Sequence, residues 1–308
     1  MALPSAFTLT NPQDGNLAIK IFSFRDNSPF DHLQRLNYYS VILLTHGQGR
    51  LSADFAQYDF RGPTLFFFAP YQPFMFSPAE DVRGVTLNFH PDFFCIHHHQ
   101  KEIACNGVLF NNIYQSPALT LSGDEVDEFL ALIEQMKPAV INAGLGQQEL
   151  LVSWLKIFLI RASRLKVEQT PIPSPEVADN RKTELVQNLR DAIENHYRTK
   201  HSAGDYAAML HISPKVLGRI TKAHFNKTIT NLVSERIIIE AKRELYLTSR
   251  TVKEIAYALG FEDEYYFSRF FKINADVSPQ TFRETVGFAR GEDSSEAILK
   301  GMAEPGIN

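Results

Sequence analysis

TVKEIAYALGFEDEYYFSRFFKINADVSPQTFRE, residues 251–284, contains two short helical patterns separated by one glycine. Residues 252–259 place apolar side chains on one face of a first helix, and Gly260 follows where a left-handed residue would end it. The acidic Glu262 and Asp263 favour the start of a second helix, because a helix N-terminus carries partial positive charge. The predicted buried side of this second helix is Phe267, Phe270 and Phe271. Together these features predict a helix-turn-helix.

The opposite face of the second helix is polar and basic, as a helix that enters the DNA major groove requires. It carries Glu264, Tyr265, Ser268, Arg269 and Lys272. Arg269 and, further upstream, Arg219 are the best candidates for a bidentate contact with guanine. Tyr265 could contact a thymine methyl group or a phosphate, and Glu264 could accept from cytosine or repel phosphate.

A similar pattern lies upstream. A first helix is predicted at residues 205–210, and Ser213 followed by Pro214 predicts the N-terminus of a second at 215–224. Its predicted buried side is Val216, Leu217 and Ile220, and its predicted DNA-contacting side is Lys215, Gly218, Arg219 and Lys222. Gly218 has no side chain, so this helix is expected to contact fewer bases. A long helix predicted at 229–247 would fix the spacing of the two units.

The run EIAYALGFEDEYYFSRFFK followed by SPQTFR resembles the C-terminal signature of AraC-family transcription regulators. The resemblance rests on Gly260-Phe261, on Phe267–Lys272 and on Pro279–Arg283. The upstream unit is similar to the family's Ser-Pro-x-x-Leu-x-Arg-x-x-Lys, but has Thr221 where the family usually has Phe. The resemblance implies a regulator that binds double-stranded DNA as a homodimer, contacts RNA polymerase and responds to a small molecule bound in an N-terminal cupin-like domain.

Residues 1–122 have the alternation and turn residues of short strands. The predicted strands are 17–24, 38–45, 50–55, 64–69 and 84–89, with turns at 46–49, 61–63 and 77–78. This spacing is typical of an antiparallel sandwich or barrel. The predicted fold class is therefore α+β: an N-terminal antiparallel β-barrel, cupin-like by resemblance, with two flanking helices and an all-α C-terminal double helix-turn-helix.

The two flanking helices are predicted at 123–136, before Pro138, and at 147–166. The second carries a broad apolar stripe, which either covers the barrel, forms a dimer, or does both on different faces. The predicted organisation is a sensing and dimerisation domain (1–166), a proline-containing linker (167–181), a DNA-binding domain (182–290) and a disordered tail (291–308).

Charge is divided unevenly along the 308 residues, whose net charge is −4. Residues 1–180 carry 12 Lys and Arg against 18 Asp and Glu, whereas residues 181–290 carry 18 against 13. This asymmetry points to a C-terminal half that meets phosphate. Two cysteines, no apolar run long enough for a membrane span and no secretory signal lead to the expectation of a cytoplasmic protein without a disulfide framework.

The effector pocket has only a general signal, an abundance of aromatic residues in the barrel. The candidates are Tyr38, Tyr39, Phe66, Phe68, Tyr71 and Phe74. They favour an apolar or aromatic effector, although Arg25, Arg35 and Arg83 could equally select a carboxylate.

The alternatives to a sensor domain are a metal site and a catalytic barrel. Cysteines, histidines and a glutamate crowd residues 95–105, and the candidate ligands are His98, Glu102 and Cys105. The spacing matches no zinc motif, so no metal or other cofactor is predicted; a redox switch between Cys95 and Cys105 is also open. A cupin enzyme would need a His-x-His with a later Glu and His, which this barrel lacks, so the prediction is a sensor and not an enzyme.

Overall fold

The computed structural model of this chain describes residues 6–11, 15, 17–99, 103, 105–169 and 180–286. We refer to residues 6–169, a sheet with two helices, as the N-terminal domain and to residues 180–286, all helical, as the C-terminal domain. The predicted α+β fold class is confirmed. Most of the predicted linker and the predicted tail lie outside the described residues. Within those residues, no helix has the length and apolar character needed to cross a membrane.

The N-terminal sheet is antiparallel, with strand order β1-β2-β6-β3-β5-β7 and with β4 paired to β3. Its strands are β1 (Ala6–Thr10), β2 (Leu17–Phe24), β3 (Tyr39–Ala53), β4 (Ala56–Arg61), β5 (Thr64–Phe68), β6 (Phe74–Phe89) and β7 (Ala118–Thr120). The two long strands β3 and β6 pair with each other and form the centre. Within the described residues the outer strands β1 and β7 are not paired, so the sheet is open where a closed barrel was predicted.

Two of the predicted turns lie inside strands. Residues 46–49 belong to the continuous β3, and residues 77–78 belong to β6. A Cβ on Gly49 would lie 2.4 Å from the carbonyl oxygen of Pro78. The glycine is therefore needed because β3 and β6 approach closely where their register is irregular, and not because the chain turns.

Alternate side chains of the sheet enter two separate apolar clusters, as the two-residue period of a strand dictates. In β3, Val41 and Leu43 belong to the cluster that the flanking helices complete. Ile42 and Leu44 belong to a second cluster, on the other face, that is rich in phenylalanine. Both faces of the sheet are thus buried in protein, which explains the nearly continuous apolar runs in its central strands.

The flanking helices are α1 (Gly123–Ile141) and α2 (Gln147–Gln169). Ser122 and Glu125 form a capping box at the start of α1. Pro138, predicted to follow the helix, lies inside it one turn from the end, where it removes the one backbone hydrogen bond that an N–H at this position would donate to the carbonyl oxygen of Glu134. The stripe of α2 packs on the sheet cluster, with Phe158 4.8 Å from Phe129 of α1 between ring centroids. The predicted covering role of α2 is therefore confirmed.

The C-terminal domain consists of helices joined by short connections. They are α3 (Asn180–His196), α4 (Ala203–Met209), α5 (Pro214–Phe225), α6 (Ile229–Leu247), α7 (Val252–Ala258), α8 (Glu264–Ala275) and α9 (Pro279–Val286). The long helix α6 has the bounds that the sequence predicted, and it contributes Leu232, Ile237 and Leu245 to the domain core. It connects two helix-turn-helix units: the first unit is α4 and α5, and the second unit is α7 and α8.

Candidate nucleic-acid interface

The first unit positions α5 through a short turn. His211 adopts a left-handed conformation in this turn, with φ 53°. The Ser213 side chain then accepts a hydrogen bond from the backbone N–H of Val216 and caps α5, as predicted. The buried side of α5 is Leu217, Thr221 and Phe225. Val216, predicted to be buried, is 37% exposed, because the buried positions recur every four residues starting from Leu217.

The second unit has the same plan with a tighter turn. Gly260 has φ 81°, and a Cβ on it would lie 2.0 Å from the carbonyl oxygen of Arg198. The turn therefore excludes any side chain, both by backbone conformation and by contact with the end of α3. Asp263 caps α8, since its side chain accepts from the backbone N–H groups of Tyr265 and Tyr266. Phe267 and Phe271 are buried behind it, as predicted, whereas Phe270 is only half-buried against the same core.

The predicted DNA-contacting side chains lie on the outer sides of α5 and α8. On α5 all four positions are exposed: Lys215, Gly218, Arg219 and Lys222. On α8 three are exposed, Tyr265, Arg269 and Lys272, while Glu264 and Ser268 are half-buried. Tyr265 is 80% exposed, an unusual position for an aromatic ring unless it contacts a partner.

Five cations stand on these two faces, and in the described part of the chain none of them forms an ion pair. Four other arginines of the same domain are, in contrast, paired with glutamates of α6: Arg198, Arg236 and Arg243 with Glu240, and Arg250 with Glu244. Unpaired cations are able to replace the counterions of a phosphate backbone, and a guanidinium can donate two hydrogen bonds to guanine. The exposed faces of α5 and α8 therefore have the chemistry of a nucleic-acid interface.

The aromatic residues predicted for an effector pocket are dispersed. Phe66, Phe68 and Phe74 pack on one another in the second sheet cluster, with the rings of Phe68 and Phe74 stacked 3.8 Å apart. Tyr39 is buried in the other cluster, and Tyr38 is half-buried. Tyr71 lies at the boundary with the C-terminal domain. Their role in effector binding stays a prediction.

The candidate metal ligands are not brought together in the described residues, where no group of three or more His, Cys, Asp and Glu side chains could hold an ion. Glu102 lies outside the described residues. Burial raises the pKa of Cys105 to about 12, so this thiol is uncharged at neutral pH and a poor ligand or nucleophile. Burial also lowers the pKa of His97 to about 4, with the positive charges of Arg243 and His98 acting in the same direction.

The N-terminal domain contacts both α5 and α8 at their C-terminal caps, a feature for which the sequence has no signal. Asn226, the left-handed cap of α5, donates from Nδ2 to the carbonyl oxygen of Gln57 at 3.0 Å. Asp276, the left-handed cap of α8, forms an ion pair with Arg35, Oδ2 to Nη1, at 3.0 Å. Each cap is therefore held by the other domain.

Buried polar contacts accompany these two. Lys227, next to the cap of α5, donates from Nζ to Glu235 of α6 at 2.7 Å and to the carbonyl oxygen of Ile113 at 3.1 Å. On α9, the hydroxyl group of Thr285 is 2.7 Å from that of Tyr71, and its carbonyl oxygen accepts from Asn37 at 3.0 Å. Such contacts join single polar residues far apart in the chain, so no periodicity reveals them.

Two family models match the chain. The one described as a helix-turn-helix domain matches residues 206–285, and the one described as an AraC-like ligand binding domain matches residues 26–95. The first match begins inside α4 and runs through α5, α6 and the second unit into α9, and the second match spans β3 to β6. The resemblance drawn from the sequence motifs is thus confirmed.

The chain is also similar to curated transcription regulators and to a solved structure. The chain is 34% identical over 101 residues to an uncharacterized HTH-type transcriptional regulator in the cgkA 5' region of Pseudoalteromonas carrageenovora, covering 33% of this chain and 60% of that protein, less than two thirds of its length. It is 23% identical over 256 residues to the HTH-type transcriptional activator RhaS of Enterobacter sp. (strain 638), covering 80% and 86%. A crystal structure of ToxT from Vibrio cholerae O395 aligns with TM-score 0.37 and 14% identity over 92% of this chain and 96% of that one.

Proposed function

We propose that this chain, which belongs to the AraC family of transcription regulators, binds a specific duplex DNA site through α5 and α8 under the control of a small-molecule effector. The observation that carries the proposal is the pair of capped helices whose outer faces hold five exposed cations without ion-pair partners among the described residues. The two helix-turn-helix units on one connecting helix would occupy successive faces of the major groove.

Each side chain has a role in this proposal. Arg219 and Arg269 donate two hydrogen bonds each to a guanine, while Lys215, Lys222 and Lys272 neutralise phosphates. Tyr265 meets a thymine methyl group, and Ser268 donates to a base edge or a phosphate. Gly218 leaves an open surface, since a Cβ there would meet nothing within 4 Å, so the first unit contacts fewer bases than the second.

Control by an effector rests on the contacts between the domains. The N-terminal domain touches the C-terminal caps of both recognition helices, through Gln57 on Asn226 and Arg35 on Asp276. A ligand that binds one arrangement of the domains better than another changes how often both caps are held. The spacing of α5 and α8, and with it the affinity for DNA, changes accordingly.

A homodimer that activates transcription completes the proposal. The outer side of α2 exposes Leu150 (49%) and Ile157 (38%), two turns apart, while its inner side covers the sheet. Two such helices packed together would place two copies on a repeated DNA site. RNA polymerase is the expected partner of the bound dimer.

Binding of labelled duplex DNA from upstream of the chain's own gene, measured by fluorescence anisotropy at fixed salt, tests the DNA-binding role. Arg269→Ala is expected to weaken binding to the specific site by roughly 1–3 kcal/mol and to scrambled DNA much less. Arg50→Ala, which removes an exposed arginine paired with Asp59 in the β3–β4 hairpin, serves as the matched control and should change neither. Equal weakening on both DNAs would make Arg269 a phosphate contact. Failure of the wild-type chain to bind any DNA would contradict the proposed function.

A further inference from the structure

A cavity of about 630 Å³ opens between the two domains. One wall is the segment 106–114 that leads from the sheet towards β7, and the other is the end of α3 together with α6. Small-molecule sites in proteins commonly enclose between about 300 and 1,000 Å³ and favour domain boundaries. The cavity is therefore large enough for a metabolite, and anything bound in it touches both domains at once.

The wall from the C-terminal domain is built around a buried carboxylate. Glu240 accepts hydrogen bonds from Nη2 of Arg243 at 2.6 Å, from Nη2 of Arg198 at 2.8 Å and from Nη1 of Arg236 at 3.3 Å. Burial by itself would raise the pKa of Glu240, but hydrogen bonds and positive charge from Arg243, with Arg236 and Arg198, lower it to about 2. The carboxylate stays charged at neutral pH and orients three guanidinium groups.

The charges of the lining leave one cation in excess. Three arginines face two glutamates, because Glu194 is the second carboxylate and accepts from Nε of Arg236 at 2.8 Å. His97, the remaining titratable base of the lining, is uncharged at neutral pH because its pKa lies near 4. Outside the lining, Glu244 accepts from both Arg243 and Arg250. Adding Glu244 and Arg250 to the count adds one charge of each sign and leaves the same excess of one cation. A carboxylate, with one negative charge, would neutralise this excess, and a phosphate monoester, with about −1.5 to −2 near pH 7, would exceed it by at most about one charge.

Donor groups remain available at the mouth of the cavity. The side chain of Arg198 is 51% exposed and uses only Nη2 in its described hydrogen bonds, while its guanidinium lies 5.2 Å from the ring centre of Tyr197. Arg243 donates from Nε and Nη2, which leaves Nη1. On the facing wall, the side-chain amides already donate within their own segment, Asn111 to Oδ1 of Asn106 and Asn112 to the carbonyl oxygen of Gly107. Planar guanidinium groups of this kind suit the oxygen atoms of a carboxylate or phosphate.

We propose that this cavity between the domains binds a small oxyanion, a metabolite that carries one carboxylate or phosphate group, through Arg198 and Arg243. The proposal rests on the proposed function in one respect: the bound anion would be the effector, because it contacts α6 and the N-terminal domain together. Binding to the cavity itself does not depend on DNA.

Calorimetric titration of the full chain tests the site with probes of matched shape. Benzoate is compared with neutral benzamide, and glucose 6-phosphate with neutral glucose, so that the carboxylate and phosphate arms are separate. At least one anion is expected to bind, at least about tenfold more tightly than its neutral match, because a charge-assisted hydrogen bond is lost in the neutral compound. Equal binding of the anions and their neutral matches would overturn the site. The absence of detectable binding by either anion at about 10 mM would also overturn it.

Two variants locate the binding. Arg198→Gln is expected to weaken the anion about tenfold or more, and Arg198→Lys, which keeps the charge but loses the planar fork, to weaken it less. Arg250→Gln removes an equally exposed arginine, paired with Glu244 and absent from the lining, and should leave binding within about twofold. If Arg250→Gln weakens the anion as much as Arg198→Gln does, the cavity is not the site. Anion binding that leaves DNA affinity unchanged would uphold the site and contradict its role as effector.

Discussion

The two helix-turn-helix units have the same frame but obtain their buried side chains from different places. Counted from the N-cap, the fourth, eighth and twelfth residues are buried in both: Leu217, Thr221 and Phe225 in the first unit, and Phe267, Phe271 and Ala275 in the second. The core of the second unit is filled by rings of the same domain, since Phe271 lies 5.7 Å from Phe282 of α9 and Phe267 lies 5.2 Å from Phe261 in the turn before α8.

The first unit has a threonine where the second has a phenylalanine, and a ring from the other domain lies close by. Tyr114 of the N-terminal domain packs 5.7 Å from Phe225, and its hydroxyl donates to Glu194 at 2.8 Å. Tyr71 of the same domain contacts Phe282, but the second unit has other rings around it. The comparison indicates that a movement of the N-terminal domain weakens the first unit before the second.

The largest expected difference between the two units lies in their turns, where matched substitutions should change the free energy of unfolding by different amounts. Gly260→Ala in the second unit places a Cβ against the backbone of Arg198 and strains a left-handed position, so we expect a loss of about 3 kcal/mol in the free energy of unfolding. His211→Gly at the matching turn of the first unit should change stability by less than about 1 kcal/mol. His211 already adopts a left-handed conformation, with φ 53°, and glycine adopts this conformation without steric cost. Denaturant unfolding of both variants measures this, and equal effects would refute the distinction.

Removal of the Tyr114 side chain is expected to destabilise the first unit and not the second. Tyr114→Ala loses the contact with Phe225 and the hydrogen bond to Glu194, together worth about 2 kcal/mol. Hydrogen exchange should become faster in α5 and stay unchanged in α8. Tyr114→Phe, which keeps the ring, is the control and should have the smaller effect. Faster exchange in both helices would mean that the units share one core.

The two candidate base-contacting arginines allow the DNA specificity of the two units to be compared. Arg269→Ala should reduce discrimination between specific and scrambled DNA by about 2 kcal/mol, and Arg219→Ala by about 1 kcal/mol, because Gly218 leaves the first helix with fewer contacts. Parallel titrations at one salt concentration give both values. A larger effect from Arg219 would reverse the assigned order of the two helices.

The smallest effect is expected at the cap of α8. Arg35→Ala removes the ion pair with Asp276, whose side chain is 62% exposed, so unfolding should change by less than about 1 kcal/mol. Any change in DNA affinity should shrink as salt is raised. A change that persists at high salt would show that Arg35 acts through something other than this ion pair.

The helices were predictable because their signals are local. The bounds of α6 and the caps Ser213 and Asp263 follow from apolar spacing and from capping residues within one turn. The lengths of β3 and β6 were not predictable, because a glycine such as Gly49 is equally compatible with a turn and with the close approach of a neighbouring strand. The candidate DNA-contacting residues were predicted from helical periodicity and family resemblance, and their role stays a prediction. The contacts around Glu240 and the two caps join distant residues that only the fold brings together.

The dependence of the first unit on the N-terminal domain is best tested by a footprint. A binding site is first selected from a random duplex library with the wild-type chain, and its protection is then compared for wild type and Tyr114→Ala. With Tyr114→Ala, protection is predicted to be lost on the bases that the first unit covers and kept on the bases that the second unit covers. Equal loss on both sets of bases, or no loss on either, would contradict this account.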